Sequence, residues 1–275
     1  MKSNNALNGQ GYLLPEYYQA WADYYVKFLE AYEEEGLKMW GLTAQNEPID
    51  GNIPGFTFNC MGWNASSQAM WVGQHLGPSL DAAGFEGIKI MAFDDQRPLL
   101  SGWANNIMED ADAARYVAGW AVHWYTDFLG GPGVLDTVHE NYPDKFILFS
   151  EACTGSYPWD LQKVVLGSWE RGQEYINDII TNLNHWSTGW TDWNLVLDMN
   201  GGPNWANNFV DAPIIVNEET DEFYKQPMYY GLAHFSKFLP VGSVRVKHEM
   251  EGYDADRIQV HKKYIIFIYS NLIPL

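Results

Sequence analysis

Apolar and polar positions follow two alternating rhythms along this chain. Between Glu16 and Glu35, the residues Trp21, Tyr24, Tyr25, Phe28, Leu29 and Tyr32 recur at three- and four-residue spacing, which predicts an amphipathic helix ended by Gly36. Leu37 to Ala44 then reads as a strand that delivers Asn46 and Glu47 to its far end. The same succession repeats. Ser66 to Ala83 predicts a helix with Ser66 or Ser67 as N-cap and Gly84 as stop, and Ile88 to Phe93 predicts a strand ending in Asp94-Asp95-Gln96-Arg97. A helix through Trp103 to Val117 leads to a strand over Trp120 to Trp124. Val134 to Tyr142 reads as helix, and Phe146 to Phe149 as the strand before Glu151. After a helix from Arg171 to Ser187, Gly189 to Leu197 predicts a strand bearing Trp190, Thr191, Asp192, Trp193 and Asn194.

Helices alternating with short apolar runs predict an α/β fold with a parallel sheet. Each run ends in polar and aromatic residues: Asn46/Glu47, Asp94/Asp95, His123/Tyr125, Glu151 and Asp192/Trp193/Asn194. Any one cluster could simply cap a helix or close a turn. Five in succession point to the C-terminal mouth of an α/β barrel, where such folds carry their chemistry. An eight-stranded barrel needs eight βα units, whereas the pattern changes after five. Past Pro213 come Ile214 to Val216, a helix from Pro227 to Phe238, and β-like runs at Ser243 to Lys247 and Tyr264 to Tyr269. The expectation is a partial (β/α)8 TIM barrel over residues 1–240, with strands 4 to 8 present and the first three missing. The start of an incomplete β-sandwich module is expected over residues 241–275.

Composition narrows the choices. A chain of 275 residues with 47% hydrophobic content can fill a core, and 16% aromatic residues, with 13 Trp and 17 Tyr, suit a ring-lined pocket as well as a core. A formal net charge of -19 argues against a nucleic-acid partner, because no Lys/Arg stripe offsets it, and fits an acidic compartment, where protonation relieves self-repulsion. Cys60 and Cys153 are too few for a disulfide framework. No run of about eighteen apolar residues occurs. Met1 to Ala6 has no apolar signal-peptide core, and Asn64-Ala65-Ser66 matches a glycosylation sequon. Asp94, Asp95, His123 and Asp192 lack any standard metal-ligand spacing, so neither metal nor cofactor is expected.

Two carboxylates remain as the strongest chemistry: Glu47 in Thr43-Ala44-Gln45-Asn46-Glu47-Pro48 and Glu151 in Phe149-Ser150-Glu151-Ala152-Cys153. A facing pair of this kind is what glycosidic-bond hydrolysis requires. With Phe93-Asp94-Asp95-Gln96-Arg97, Ala121-Val122-His123-Trp124-Tyr125, Gly189-Trp190-Thr191-Asp192-Trp193-Asn194-Leu195, Gly201-Gly202-Pro203-Asn204-Trp205, Asn208-Phe209-Val210-Asp211 and Phe223-Tyr224-Lys225-Gln226-Pro227-Met228, they occur together and in order. From about Tyr12 to about Val246 the chain resembles the glucosylceramidases of glycoside hydrolase family 30.

That resemblance implies a (β/α)8 barrel with an accompanying β-sandwich, and retaining hydrolysis of glucosylceramide to glucose and ceramide. It implies Glu47 as general acid/base and Glu151 as nucleophile. Asn46 would bond the sugar 2-OH, while His123, Tyr125, Trp193 and Asn208 would line the glucose pocket. It also implies a lysosomal setting, a saposin-type activator and an acidic membrane surface as partners. Apolar walls and the Glu151 charge would raise the pKa of Glu47, and Tyr125 and His123 would orient Glu151. A runner-up is a related retaining β-glycosidase acting on another glycan. An inactive fragment is the reading outside catalysis.

Overall fold

The computed structural model describes residues 1–246 and the pair Phe267–Ile268. In chain order the main elements are α1 (Tyr18–Glu34), β1 (Gly41–Thr43), α2 (Ala65–Trp71), α3 (Gly77–Ala82), β2 (Lys89–Gln96), α4 (Leu100–Glu109), α5 (Ala111–Tyr116) and β3 (Val117–His123). They continue with α6 (Gly133–Asn141), β4 (Phe146–Glu151), α7 (Trp169–Asn184), β5 (Ser187–Trp190), β6 (Val196–Asp198), β7 (Ile214–Asn217), β8 (Glu222–Lys225), α8 (Pro227–Phe238), β9 (Val244–Arg245) and β10 (Phe267–Ile268). No described helix is long and apolar enough to cross a membrane.

The chain divides into two compact units. The first holds Met1–Ala152 and Trp186–Thr191. Its five strands form one parallel sheet in sequence order, β1-β2-β3-β4-β5, the arrangement that βα repetition predicts. From Ile90 to Asp95, β2 is buried at every position, as a central parallel strand covered on both faces must be. Helix α1 turns Tyr18, Ala22, Val26 and Leu29 inward, one residue per turn. Gly77 is required where helix meets helix, because a Cβ there would lie 2.3 Å from the Tyr116 ring.

Local chemistry moves several predicted boundaries. The helix expected to start at Ser66 or Ser67 is capped by Asn64, whose side chain accepts from the Ser67 amide at 2.8 Å while the Ser67 hydroxyl receives the Asn64 amide at 3.1 Å. The expected helix Trp103 to Val117 is two helices. Asp110 breaks it by accepting from the amides of Asp112 and Ala113, both at 3.0 Å, and Val117 already belongs to β3. The expected strand Gly189 to Leu197 splits into β5 and β6, because the Asp192 side chain accepts the Asn194 amide at 3.2 Å and turns the chain between them.

The second unit takes Cys153–His185 and the chain from Asp192 onward. A three-stranded sheet pairs β6 parallel with β7 and β7 antiparallel with β8. Helices α7 and α8 approach closely at two glycines: a Cβ on Gly172 would lie 2.6 Å from Pro227, and one on Gly231 would lie 3.2 Å from Ile176. Strand β9, inside the expected run Ser243 to Lys247, pairs antiparallel with β10. Apart from Phe267 and Ile268, the expected run Tyr264 to Tyr269 lies outside the described residues, as does most of 241–275.

Candidate active site

Strand register builds the site. It sets Gln96 opposite His123 and His123 opposite Glu151, so three neighbouring parallel strands end at one level. The β2–β3 register slips between Phe93 and Asp95, and the residue left over is Asp94. Such a bulge re-aims a side chain. Here Phe93 and Asp94 take positive φ values of 77° and 61°, and Glu47 takes 41°. For non-glycine residues this is strained backbone of the kind that concentrates at functional sites. Beyond β1 the chain stays anchored beside β2, for the Glu47 amide donates to the Asp94 carbonyl at 2.9 Å.

His123, fully buried, is the hub. Its Nδ1 lies 3.1 Å from Glu47 Oε1 and its Nε2 lies 3.0 Å from Asp94 Oδ1. Glu151 Oε2 stands 3.9 Å from the same Nε2. Burial pushes the imidazole pKa down, but the hydrogen bonds it donates to Asp94 and Glu47 and the surrounding negative charge outweigh it and hold the pKa well above the ordinary histidine value. Both ring nitrogens therefore carry protons. Ligand atoms of Glu47, His123 and Glu151 all lie within 4.8 Å of one another, and each ring nitrogen of His123 is already engaged by a carboxyl oxygen.

The carboxyls around this cation differ. Burial pushes Asp94 up, yet His123, the Ser150 hydroxyl at 2.6 Å and Thr43 together hold it below the usual range. Glu47 is pushed up by burial as well, but the His123 hydrogen bond and charge bring it below the ordinary value. Gln96 Nε2 also donates to Glu47 Oε1, at 2.9 Å. Glu151 goes the other way: burial, opposed by His123 and reinforced by the Glu47 charge, pushes it up to about 7. The raised carboxyl as the side chains stand is thus Glu151, not Glu47 as expected, because His123 bonds Glu47 and only approaches Glu151. The Tyr125 hydroxyl donates to Glu151 Oε1 at 2.9 Å, so of the two expected orienting bonds Tyr125 makes one, and His123 makes none at hydrogen-bond distance.

Five of the seven sequence-derived site residues lie in the first unit: Asn46, Glu47, His123, Tyr125 and Glu151. Asn46 is exposed beside the half-buried Glu47. Trp193 and Asn208, both half-buried, belong to the second unit, where the backbone of Asn208 bonds the side chain of Asn204 at 3.0 and 3.1 Å. Sequence reasoning placed Asp94 in a strand-end cluster and weighed it as a metal ligand, quoted Gln96 and Ser150 within motifs without a role, and passed over Asp50. Arg97 steadies the loop after β3, donating to the carbonyls of Asp127 and Gly130, both at 2.8 Å.

Known proteins resemble this chain in sequence and fold. The profile of the glycosyl hydrolase family 30 TIM-barrel domain matches residues 1–239. The lysosomal acid glucosylceramidase of Mus musculus is 49% identical over 251 residues, which cover 90% of this chain and 48% of that protein. SrfJ from Salmonella typhimurium superposes with a TM-score of 0.79 at 30% identity, over 88% of this chain and 52% of that one. The endo-β1,6-glucanase BT3312 superposes with a TM-score of 0.75, also at 30% identity, over 87% of this chain and 52% of that one. The chain spans about half the length of the curated relatives it matches.

Proposed function

This chain belongs to glycosyl hydrolase family 30, and from that premise we propose that Glu47 and Glu151 cleave a β-glucosidic bond with retention of configuration. The observation that carries the reading is the pair itself, with an oxygen of Glu47 and one of Glu151 within 4.8 Å. Retaining glycosidases hold their carboxyls about 5–5.5 Å apart, whereas inverting ones leave about 6.5–9.5 Å for a water. Glu151 attacks the anomeric carbon while Glu47 gives its proton to the departing oxygen. Water then attacks the glycosyl ester, its proton goes to Glu47, and Glu151 leaves as carboxylate.

Without substrate, burial holds Glu151 high and His123 holds Glu47 low, the reverse of what the first step needs of these two carboxyls. Glu151 then has to lose its proton and Glu47 to gain one. His123 touches or approaches both, so releasing Glu47 to the leaving oxygen leaves the imidazolium facing Asp94 and Glu151, which favours the Glu151 carboxylate. Once Glu151 is esterified, its charge is gone and Glu47 serves as base. Asn46, Tyr125, His123, Trp193 and Asn208 are the sugar-binding residues of this reading.

The substrate is glucosylceramide, a reading supported by 49% identity to the murine lysosomal acid glucosylceramidase. A lysosomal setting, an acidic membrane surface and a saposin-type activator follow as parts of the same proposal. So does a barrel portion ending near residue 240, where the family match ends at 239. Likeness to an endo-β1,6-glucanase favours a second reading, a β-glycosidase for another glycan on the same carboxyl pair. Proton NMR of the first-formed sugar during cleavage of glucosylceramide and of a β1,6-glucan tests both. Release of β-glucose from the lipid supports the reading. First release of α-glucose contradicts retention, and turnover of the glucan alone contradicts the lipid substrate.

A further inference from the structure

A second carboxyl leans on Glu47, and the steps above do not use it. Asp50 opens a short helical turn, Asp50–Asn52, and its amide donates to the Glu47 carbonyl at 3.0 Å. That bond brings side chains three residues apart to the same side of the turn. The two carboxyls lie within hydrogen-bond reach of each other. A carboxylate has no donor, so one of the two carries a proton wherever this bond exists.

The turn is held from several sides. The Ile49 amide donates to Asp95 Oδ2 at 3.0 Å, and the Asn52 side chain donates to the Pro48 carbonyl at 3.1 Å and the Trp63 carbonyl at 3.0 Å. Gly51 presses so closely on Gly62 that a Cβ would come within 1.9 Å of the Gly62 nitrogen.

We propose that Asp50 is a positioning residue for the acid/base step, sharing one proton with Glu47 and delivering it through that carboxyl. The inference rests on the reading of Glu47 as acid/base. The groups facing the pair are Asp94, Asp95 and Gln96 from β2, His123 from β3 and Glu151 from β4, with Cys60, itself 3.8 Å from Lys2 Nζ, on the loop side. Negative charge dominates this set, with His123 the nearest cation, so removing the last proton of the pair is costly. Burial, the bond to Glu47 and the Glu47 charge push Asp50 up to about 9. These surroundings favour keeping one proton within the pair, although His123 pulls Glu47 itself low.

Asp50→Asn separates proton sharing from a structural role, because it keeps a donor of the same size without a dissociable proton. With a β-glucoside whose leaving group needs protonation, the basic limb of kcat/KM is expected to move to lower pH by about one unit or more. With a dinitrophenyl glucoside, whose departure needs no acid, it is expected to stay put, which also shows that the variant folds. An unmoved limb with the first substrate overturns the proposal. A second measurement does not depend on turnover: carboxyl ¹³C NMR titration of the full chain, native against Glu47→Gln. The proposal expects the Asp50 carboxyl to lose its proton about one pH unit or more earlier in the variant, and an unchanged titration overturns it. If no β-glucoside is cleaved at all, the proposed function fails while the titration still decides on the shared proton.

Discussion

Two buried carboxylate networks, one in each unit, are built on opposite principles. In the second unit Asp211 is saturated by fixed donors: the Val165 amide at 3.2 Å, the Ala212 amide at 2.9 Å, Gln226 Nε2 at 2.5 Å and the Arg171 guanidinium. Arg171 also binds the carbonyls of Lys163 at 2.7 Å and Gln162 at 2.9 Å. This network ties loops to α7 and gives both Asp211 oxygens donors, which oppose the burial that still raises its pKa. In the first unit Glu47, Asp94 and Glu151 crowd one imidazolium, with Asp50 and Asp95 close behind. Acids outnumber bases there, so protons must be shared among carboxyls. A balanced cluster holds a fold together, whereas an unbalanced one stores movable protons.

Substitution sharpens that contrast, and the largest effect falls in the first unit. Glu151→Gln should cost about 10⁴-fold or more in kcat with little change in melting temperature, read by initial rates and a thermal melt. Arg171→Met should reverse the pattern. It leaves Asp211 buried without its cation, so unfolding in denaturant should become easier by about 3–5 kcal/mol, while the pH profile of whatever folds keeps its shape. Tyr125→Phe should lower kcat/KM by about tenfold, the worth of one hydrogen bond to a charged group. Because Tyr125 lowers the Glu151 pKa, the acid limb should also move to higher pH.

The smallest effect is the pH dependence of stability. Asp50 and Glu151 stay protonated in the folded protein up to about 9 and about 7, while in the unfolded chain they ionise near their ordinary values. The folded state then binds more protons, and stability falls as pH rises through the interval. His123, raised in the fold, adds stability below its unfolded pKa that is lost as pH rises through its folded one. Glu47 and Asp94, lowered in the fold, act in the opposite sense and lose their contribution as pH falls. Stability, read as the melting temperature, should therefore peak in mild acid and decline toward pH 8, the unfolding free energy falling by up to about 1.4 kcal/mol per pH unit for each proton in question. Asp211, also raised by burial, should act in the same sense as Glu151, losing stability as pH rises past the ordinary carboxyl range.

Much of the fold could be read from residue pattern because burial has a period. The runs at Ile88, Trp120 and Phe146 became β2, β3 and β4, and the clusters after them became strand ends. Where reading failed, a side chain competed with the backbone: Asn64 and Asp110 took over helix starts, and Asp192 turned the chain out of a strand. Strand β8 was missed because Glu222–Lys225 shows no apolar alternation, being held by its ladder to β7. At the site, Glu47 and Glu151 stood out by their apolar approach. Which carboxyl His123 would hold could not be read, since that depends on a one-residue bulge at Asp94. Asp50 gave only the weak signal of an acid three residues past another.

The most direct test of the account is exposure of the folded chain to a cyclitol epoxide, an inactivator that a retaining β-glucosidase must protonate with its acid and trap with its nucleophile, followed by peptide mass spectrometry. The account predicts one covalent adduct, on Glu151, with its formation slowed in Glu47→Gln. An adduct on another carboxyl, or none on a protein that melts cooperatively, would contradict it.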